Sequence, residues 1–233
     1  MIDLHSHILP SVDDGSAGVE ESLALLRMLS EQGVDTVVAT PHFYADSESV
    51  DEFLARRASA YGKLMQASEE GLPHILLGAE VKYYPGIYHM ENLESLCIGN
   101  SRLLLLEMSM TKWTEYTVKE LVDIACSGRV TLVLAHIERF WRMQSKETWK
   151  RLLQSGILMQ VNASFFADFR TARKAVRLLK DRYIHFVGSD CHDLKIRPPR
   201  MNEAADRITR KVGAGYLAYM TDCEAELLGI EHR

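Results

Sequence analysis

The sequence predicts an α/β fold, a parallel β/α barrel, on three observations. Short apolar runs rich in Leu, Ile and Val alternate with longer segments of helical period. Seven such runs stand near residues 2–4, 36–39, 75–79, 103–106, 131–135, 158–161 and 185–188. Six of the seven lead into a His, Glu or Asp, and the other leads into Asn162 and Ser164. An open sheet would string those positions along an edge, whereas a barrel gathers them on one rim, so closure is favoured.

Taken in order, the first run opens into His-Ser-His and a Val-Asp-Asp-Gly turn, which supplies His5, His7 and Asp14. Residues 18–33 then set Val19, Leu23, Leu26 and Leu29 on one face and stop at Gly33, as an amphipathic surface helix requires. VVATPH ends the second run at His42, and a helix is expected over 50–70. ILLGAE ends the third at Glu80, and LLLLEMS presents Glu107 ahead of a helix over 115–126. LVLAHIER carries His136 and Arg139, with a helix over 146–154. MQVNAS precedes a helix over 168–180. FVGSDCH gives Asp190 and His192, with Arg197 close behind, then helices over 201–212 and after Ala214. No low-complexity or Pro/Ser-rich linker interrupts residues 1–233, so a single domain is expected.

Composition narrows the function classes. A net charge of -5 offers no basic field for counterion release, so nucleic acid is not an expected partner. No run approaches the roughly 20 apolar residues of a membrane span. Asp3, His5 and His7 stand where a signal peptide would be basic and then apolar, and the expected location is cytoplasmic. Cys97, Cys126, Cys191 and Cys223 are far apart with no Cys-x-x-Cys pair, which reads as reduced thiols.

One His or Glu after a strand is more often a solvated or capping residue, and Asp14 alone would pass for a turn residue. Nine strong ligands at one rim are another matter: His5, His7, Asp14, His42, Glu80, Glu107, His136, Asp190 and His192. Without cations the carboxylates would repel one another. The set exceeds the need of one ion and predicts two or three. Imidazole and carboxylate without thiolate suit manganese, iron or zinc. His74, His89, His185 and His232 fit no strand end and read as surface or core residues. Tyr83, Tyr84, Tyr88, Trp113 and Tyr116 follow Glu80 and Glu107, and either wall a substrate pocket or pack beneath the loops.

These motifs resemble the metal motifs of the PHP superfamily. The fuller strings MIDLHSHILPSVDDG, AHIERF, QVNAS and SDCHDLKIRPPRM resemble one branch, the manganese-dependent protein-tyrosine phosphatases of bacterial capsule and exopolysaccharide operons. The resemblance spans almost the whole chain. It implies a distorted seven-stranded TIM-like barrel with three ions, manganese in the first place and iron or zinc as alternatives. It implies that His5, His7, Glu80 and Asp190 hold one ion; Glu80, Glu107 and His136 a second; and Asp14, His42 and His192 a third. Arg139 and Arg197 would bind phosphate, and the partner would be a bacterial tyrosine kinase with a tyrosine-rich tail. Phosphotyrosine would be hydrolysed by a water activated between two ions.

Two segments depart from the family pattern: FYADSESVDEF after His42 is more acidic, and the stretch after Asn162 is short. A PHP phosphoesterase acting on histidinol phosphate or nucleic-acid ends would share the same cluster and differ only in its rim loops. A catalytically silent metal scaffold is disfavoured by Arg139 and Arg197, and an amidohydrolase by Glu107 in place of a lysine. Cys191 and Arg197 match the Cys-x5-Arg spacing of cysteine-dependent phosphatases, but no glycine eases that loop and Asp190 and Asp193 oppose a thiolate. Cys191 is expected to face the barrel wall.

Overall fold

The computed structural model describes residues 1–230, and His232 lies outside them. Its strands are β1 (Ile2–Ser6), β2 (Thr36–Ala39), β3 (His42–Phe43), β4 (His74–Leu77), β5 (Glu80–Lys82), β6 (Leu103–Glu107), β7 (Thr131–Leu134), β8 (Leu158–Asn162) and β9 (Phe186–Gly188). All pair in parallel, in the orders β1-β2-β4 and β3-β5-β6-β7-β8-β9. The fold is α/β with a curled parallel sheet.

The predicted count of seven strands is not what the backbone forms, because the second and third runs are each interrupted. Pro41 has no N–H to give a ladder and separates β2 from β3. Gly78 and Ala79 separate β4 from β5, and a Cβ on Gly78 would meet the Ile98 side chain at 2.9 Å. Hydrogen bonds still cross the breaks: Gly78 N–H donates to Ala39 O (2.9 Å) and Glu80 N–H to Pro41 O (3.0 Å). At the other side β1 returns against the chain beyond β9. Ser6 bridges Cys191, Asp190 N–H donates to His5 O (2.7 Å), and His7 N–H donates to Cys191 O (2.9 Å).

The helices are α1 (Val19–Glu31), α2 (Val50–Gln66), α3 (Glu115–Ser127), α4 (Lys146–Gln154), α5 (Ala163–Ala167), α6 (Ala172–Lys180), α7 (Met201–Lys211) and α8 (Ala214–Leu228). In α1 the buried face is Leu23, Leu25, Leu26 and Leu29, and the chain leaves it through Gly33 at φ +79°. A Ser49–Glu52 capping box starts α2, and Thr114 and Ser145 cap α3 and α4. The helix expected over 168–180 is instead α6, preceded by the short α5.

Alternate strand residues divide between two apolar clusters, as a pleated strand requires. Val37, Leu104, Leu106, Leu132, Leu134 and Val161 pack with the surrounding helices. Ile2, Leu4, Val38, Leu105, Val133 and Phe186 pack with one another and with Ala225 and Leu228 of α8. That helix therefore floors the inside of the curl, opposite the strand ends that carry the His and carboxylate residues.

Candidate metal centre

His5 and His7 stand at the end of β1, where local partners fix their tautomers. The His7 Nδ1 lies 2.7 Å from the Asp13 carboxylate, and the His5 Nδ1 lies 3.3 Å from Gln160 Oε1. That amide oxygen also accepts the His136 N–H at 2.7 Å, so it is an acceptor and the His5 proton sits on Nδ1. Both Nε2 lone pairs therefore point at the same place, 3.1 Å apart. Glu80 Oε2 is 3.3 Å from each, and Asp190 Oδ1 is 3.6 and 3.5 Å from His5 and His7. Two imidazole nitrogens and two carboxylate oxygens face one another at one point. A tetrahedral ion with bonds of about 2.1 Å has ligand separations of about 3.4 Å, and the atoms already stand at that spacing.

The cluster continues on both sides. Glu80 Oε1 is 2.7 Å from His136 Nε2, which is 3.8 Å from Glu107 Oε1. Glu107 Oε2 accepts from Lys82 Nζ at 2.9 Å. On the other flank, Asp14 Oδ1 is 3.4 Å from both His42 Nε2 and His192 Nε2. His192 Nδ1 donates to Asp190 O (3.0 Å), which leaves its Nε2 as a buried lone pair without a hydrogen-bond partner. All nine sequence-predicted positions thus meet in one contiguous group. His7, Asp14, His42 and His192 form one set able to hold an ion; His5, His7 and Asp190 form another, and His42, Glu80 and Glu107 a third.

Burial opposes charge on His7, yet Asp13 and Glu80 prevail and lift its pKa to about 10. Burial would raise the Glu80 and Asp190 carboxyls, but the histidines hold both below the ordinary range, helped by Arg139 at Asp190. Burial, His7 and Arg197 together push His192 down to about 4.

The backbone is held tightly here. A Cβ on Gly188 would fall 2.6 Å from the His5 Cβ, and one on Gly15 would fall 2.3 Å from the His7 carbonyl oxygen. His136 and Asp190 take left-handed φ values of +34° and +52°, costly for residues with a Cβ and kept only where surroundings enforce them.

Arg139 and Arg197 both reach the second Asp190 oxygen, Arg197 at 2.7 Å, and Asn162 Nδ2 donates to it at 2.6 Å. Beside them is a cavity of about 390 Å³ lined by Glu138, Arg139, Asn162, Phe165, Asp190 and Arg197, among others. The short stretch after Asn162 forms its wall as α5. Much of the acidity after His42 is used locally: Glu48 pairs with Arg56 and Glu52 caps α2.

The aromatic set named from the sequence is mostly packing. Trp113 lies between Phe140 and Trp149, Tyr83 donates to Glu120 (2.7 Å), and Tyr116 is exposed. His74 and His89 are exposed, and His185 Nδ1 accepts the Met159 N–H at 3.1 Å. Cys191 is fully buried beside Ser6, with its thiol pKa pushed up by burial, which removes it as a nucleophile. Sequence reasoning passed over Asp13, Gln160 and Tyr44. The Tyr44 ring stands 5.4 Å from the His42 ring, half open to solvent. Among the described residues no helix is long and apolar enough to cross a membrane.

Residues 1–227 match the family model described as capsular polysaccharide synthesis, CpsB/CapC. The chain is 35% identical over 225 residues to the tyrosine-protein phosphatase CpsB of Streptococcus pneumoniae, covering 92% of each. It is 30% identical to the tyrosine-protein phosphatase YwqE of Bacillus subtilis, over 98% of this chain and 91% of the relative. A crystal structure from work on YwqE and CpsB, described as unique metal-dependent tyrosine phosphatases, superposes with a TM-score of 0.85 at 24% identity, over 100% of this chain and 96% of that one.

Proposed function

Because the chain belongs to the CpsB/CapC family of capsular polysaccharide synthesis proteins, we propose that it is a metal-dependent protein-tyrosine phosphatase that hydrolyses phosphotyrosyl proteins. The observation that carries the reading is the convergence of His5 Nε2, His7 Nε2, Glu80 Oε2 and Asp190 Oδ1 on one point. On this reading His5, His7, Glu80 and Asp190 hold one ion; Glu80 is shared with a second held by Glu107 and His136; and Asp14, His42 and His192 hold a third. A thiolate-free donor set suits manganese, our first choice, ahead of iron or zinc. Bound there, the ions supply an activated water and positive charge for the phosphoryl oxygens.

The protein's own residues do the positioning. Asn162 keeps Asp190 turned, while Arg139 and Arg197 are free to trade the Asp190 oxygen for two phosphoryl oxygens, which the guanidinium fork matches well. The adjoining cavity is large enough to seat a phenol ring. A phenol of pKa about 10 leaves with less protonation than an alkoxide needs. The protein substrate we assign is a bacterial tyrosine kinase of the same capsule or exopolysaccharide system, in the cytoplasm. We also read β2 with β3, and β4 with β5, as single interrupted staves, so that one domain forms a distorted seven-stave TIM-like barrel closed at Ser6 and Cys191. The hydrogen bonds across both breaks support that count.

The test is hydrolysis of a phosphotyrosyl peptide before and after exhaustive chelation, with metal content measured. Chelation is expected to abolish turnover and manganese to restore it. Full turnover by a protein with no residual metal overturns the reading.

A further inference from the structure

Beyond the cavity wall lies a group of cations that phosphate binding leaves unused. Lys174 of α6 holds its ammonium 5.8 Å from the ring of Phe165, a cavity-lining residue, and 5.8 Å from the ring of Trp141. Arg142 follows Trp141 in the chain, and Arg177 stands one helical turn beyond Lys174 on the same face of α6. Arg139 and Arg197 pair with Asp190 and Arg200 pairs with Glu203. Among the described residues Arg142, Lys174 and Arg177 pair with no carboxylate. Burial lowers the Lys174 pKa, and the charges of Arg142 and Arg177 lower it further against the opposing pull of Glu138, so each arginine repels Lys174. In a chain of net charge -5, three cations that form no ion pair and stand just outside the substrate cavity, with Glu138 as the nearby carboxylate, are matched by an acidic partner.

We propose that Arg142, Lys174 and Arg177 form a docking ridge for acidic side chains flanking the phosphotyrosine, so that the substrate class is an acidic tyrosine segment and not phosphotyrosine in any context. The proposal rests on the phosphatase reading above. An extended peptide advances about 3.3 Å per residue, so a ridge just past the cavity wall is met by residues flanking the phosphotyrosine. Electrostatic matching of this kind acts through encounter rate and weakens with salt.

The experiment compares kcat/KM of the manganese-loaded chain on two phosphotyrosyl peptides of equal length, one with Glu and one with Gln around the phosphotyrosine. The wild-type chain is expected to favour the acidic peptide by about fivefold, the factor two exposed ion pairs supply. That preference is expected to vanish in R142Q/K174Q, whose glutamines keep part of each aliphatic stem, to shrink in R177Q, and to fall as salt rises to about 0.5 M. An equal preference in wild type and both variants, or no preference in wild type, overturns the ridge while leaving the phosphatase reading in place. Failure of the metal-loaded wild type to hydrolyse either peptide overturns both.

Discussion

Asp13 shows how much of the centre depends on a residue that coordinates nothing in the proposed scheme. Its carboxylate fixes the His7 ring and accepts the His42 and Gly15 N–H groups at 3.0 Å each, so one side chain ties together three parts of the rim. Orienting partners of this kind are worth about 10- to 100-fold in metal affinity. Asp13→Asn is accordingly expected to fold but to bind manganese about that much more weakly, as titration calorimetry will show; an unchanged affinity contradicts the orienting role. Cys191 gives the complementary prediction. Its thiol lies in the wall between two candidate ligands, so Cys191→Ser is expected to retain most turnover at saturating manganese, and His192→Ala to lose it. A folded, fully metallated and inactive Cys191→Ser sinks the metal mechanism.

At the scale of elements, eight of the rim positions were legible because residue type and strand end coincide, a His or carboxylate at the end of an apolar run being visible without coordinates, and Asp14 was legible only with them as a group. Asp13 was not legible, since in Asp13-Asp14 either residue could be the turn former, and Gln160 looks like any strand residue. The break at Pro41 was written in the sequence, whereas Gly78 acts through the Ile98 side chain across the fold, which no local pattern reports. Helix α5 is too short to show a period. Gly188, at the end of β9, makes the same point energetically. A Cβ there overlaps His5, so Gly188→Ala is expected to cost about 1–3 kcal/mol by overpacking and to lower metal content along with the melting temperature. A stable variant with full metal content contradicts the required close approach of β9 to β1.

For the whole molecule, the floor of the curl holds a buried acid whose neutral form the fold favours. Glu224 of α8 is 4% exposed, and burial, with Asp3 nearby, raises its pKa well above the ordinary value against the pull of the amino terminus. A folded pKa above the unfolded one means that the folded chain holds the proton more tightly. The stability this provides is complete below the unfolded value near 4.5 and drains away as pH rises toward the folded value. Glu224→Gln is therefore expected to melt higher than wild type at pH 8, with the gap narrowing toward pH 5; a gap independent of pH contradicts the buried neutral acid. The contact of β1 with the chain beyond β9 has its own consequence in time. His5 and His7 are synthesised before Asp190 and His192, with more than 180 residues between the two pairs. A chain that stops between those two segments carries only part of the proposed ligand set and no Arg197, so it is expected to show no phosphatase activity.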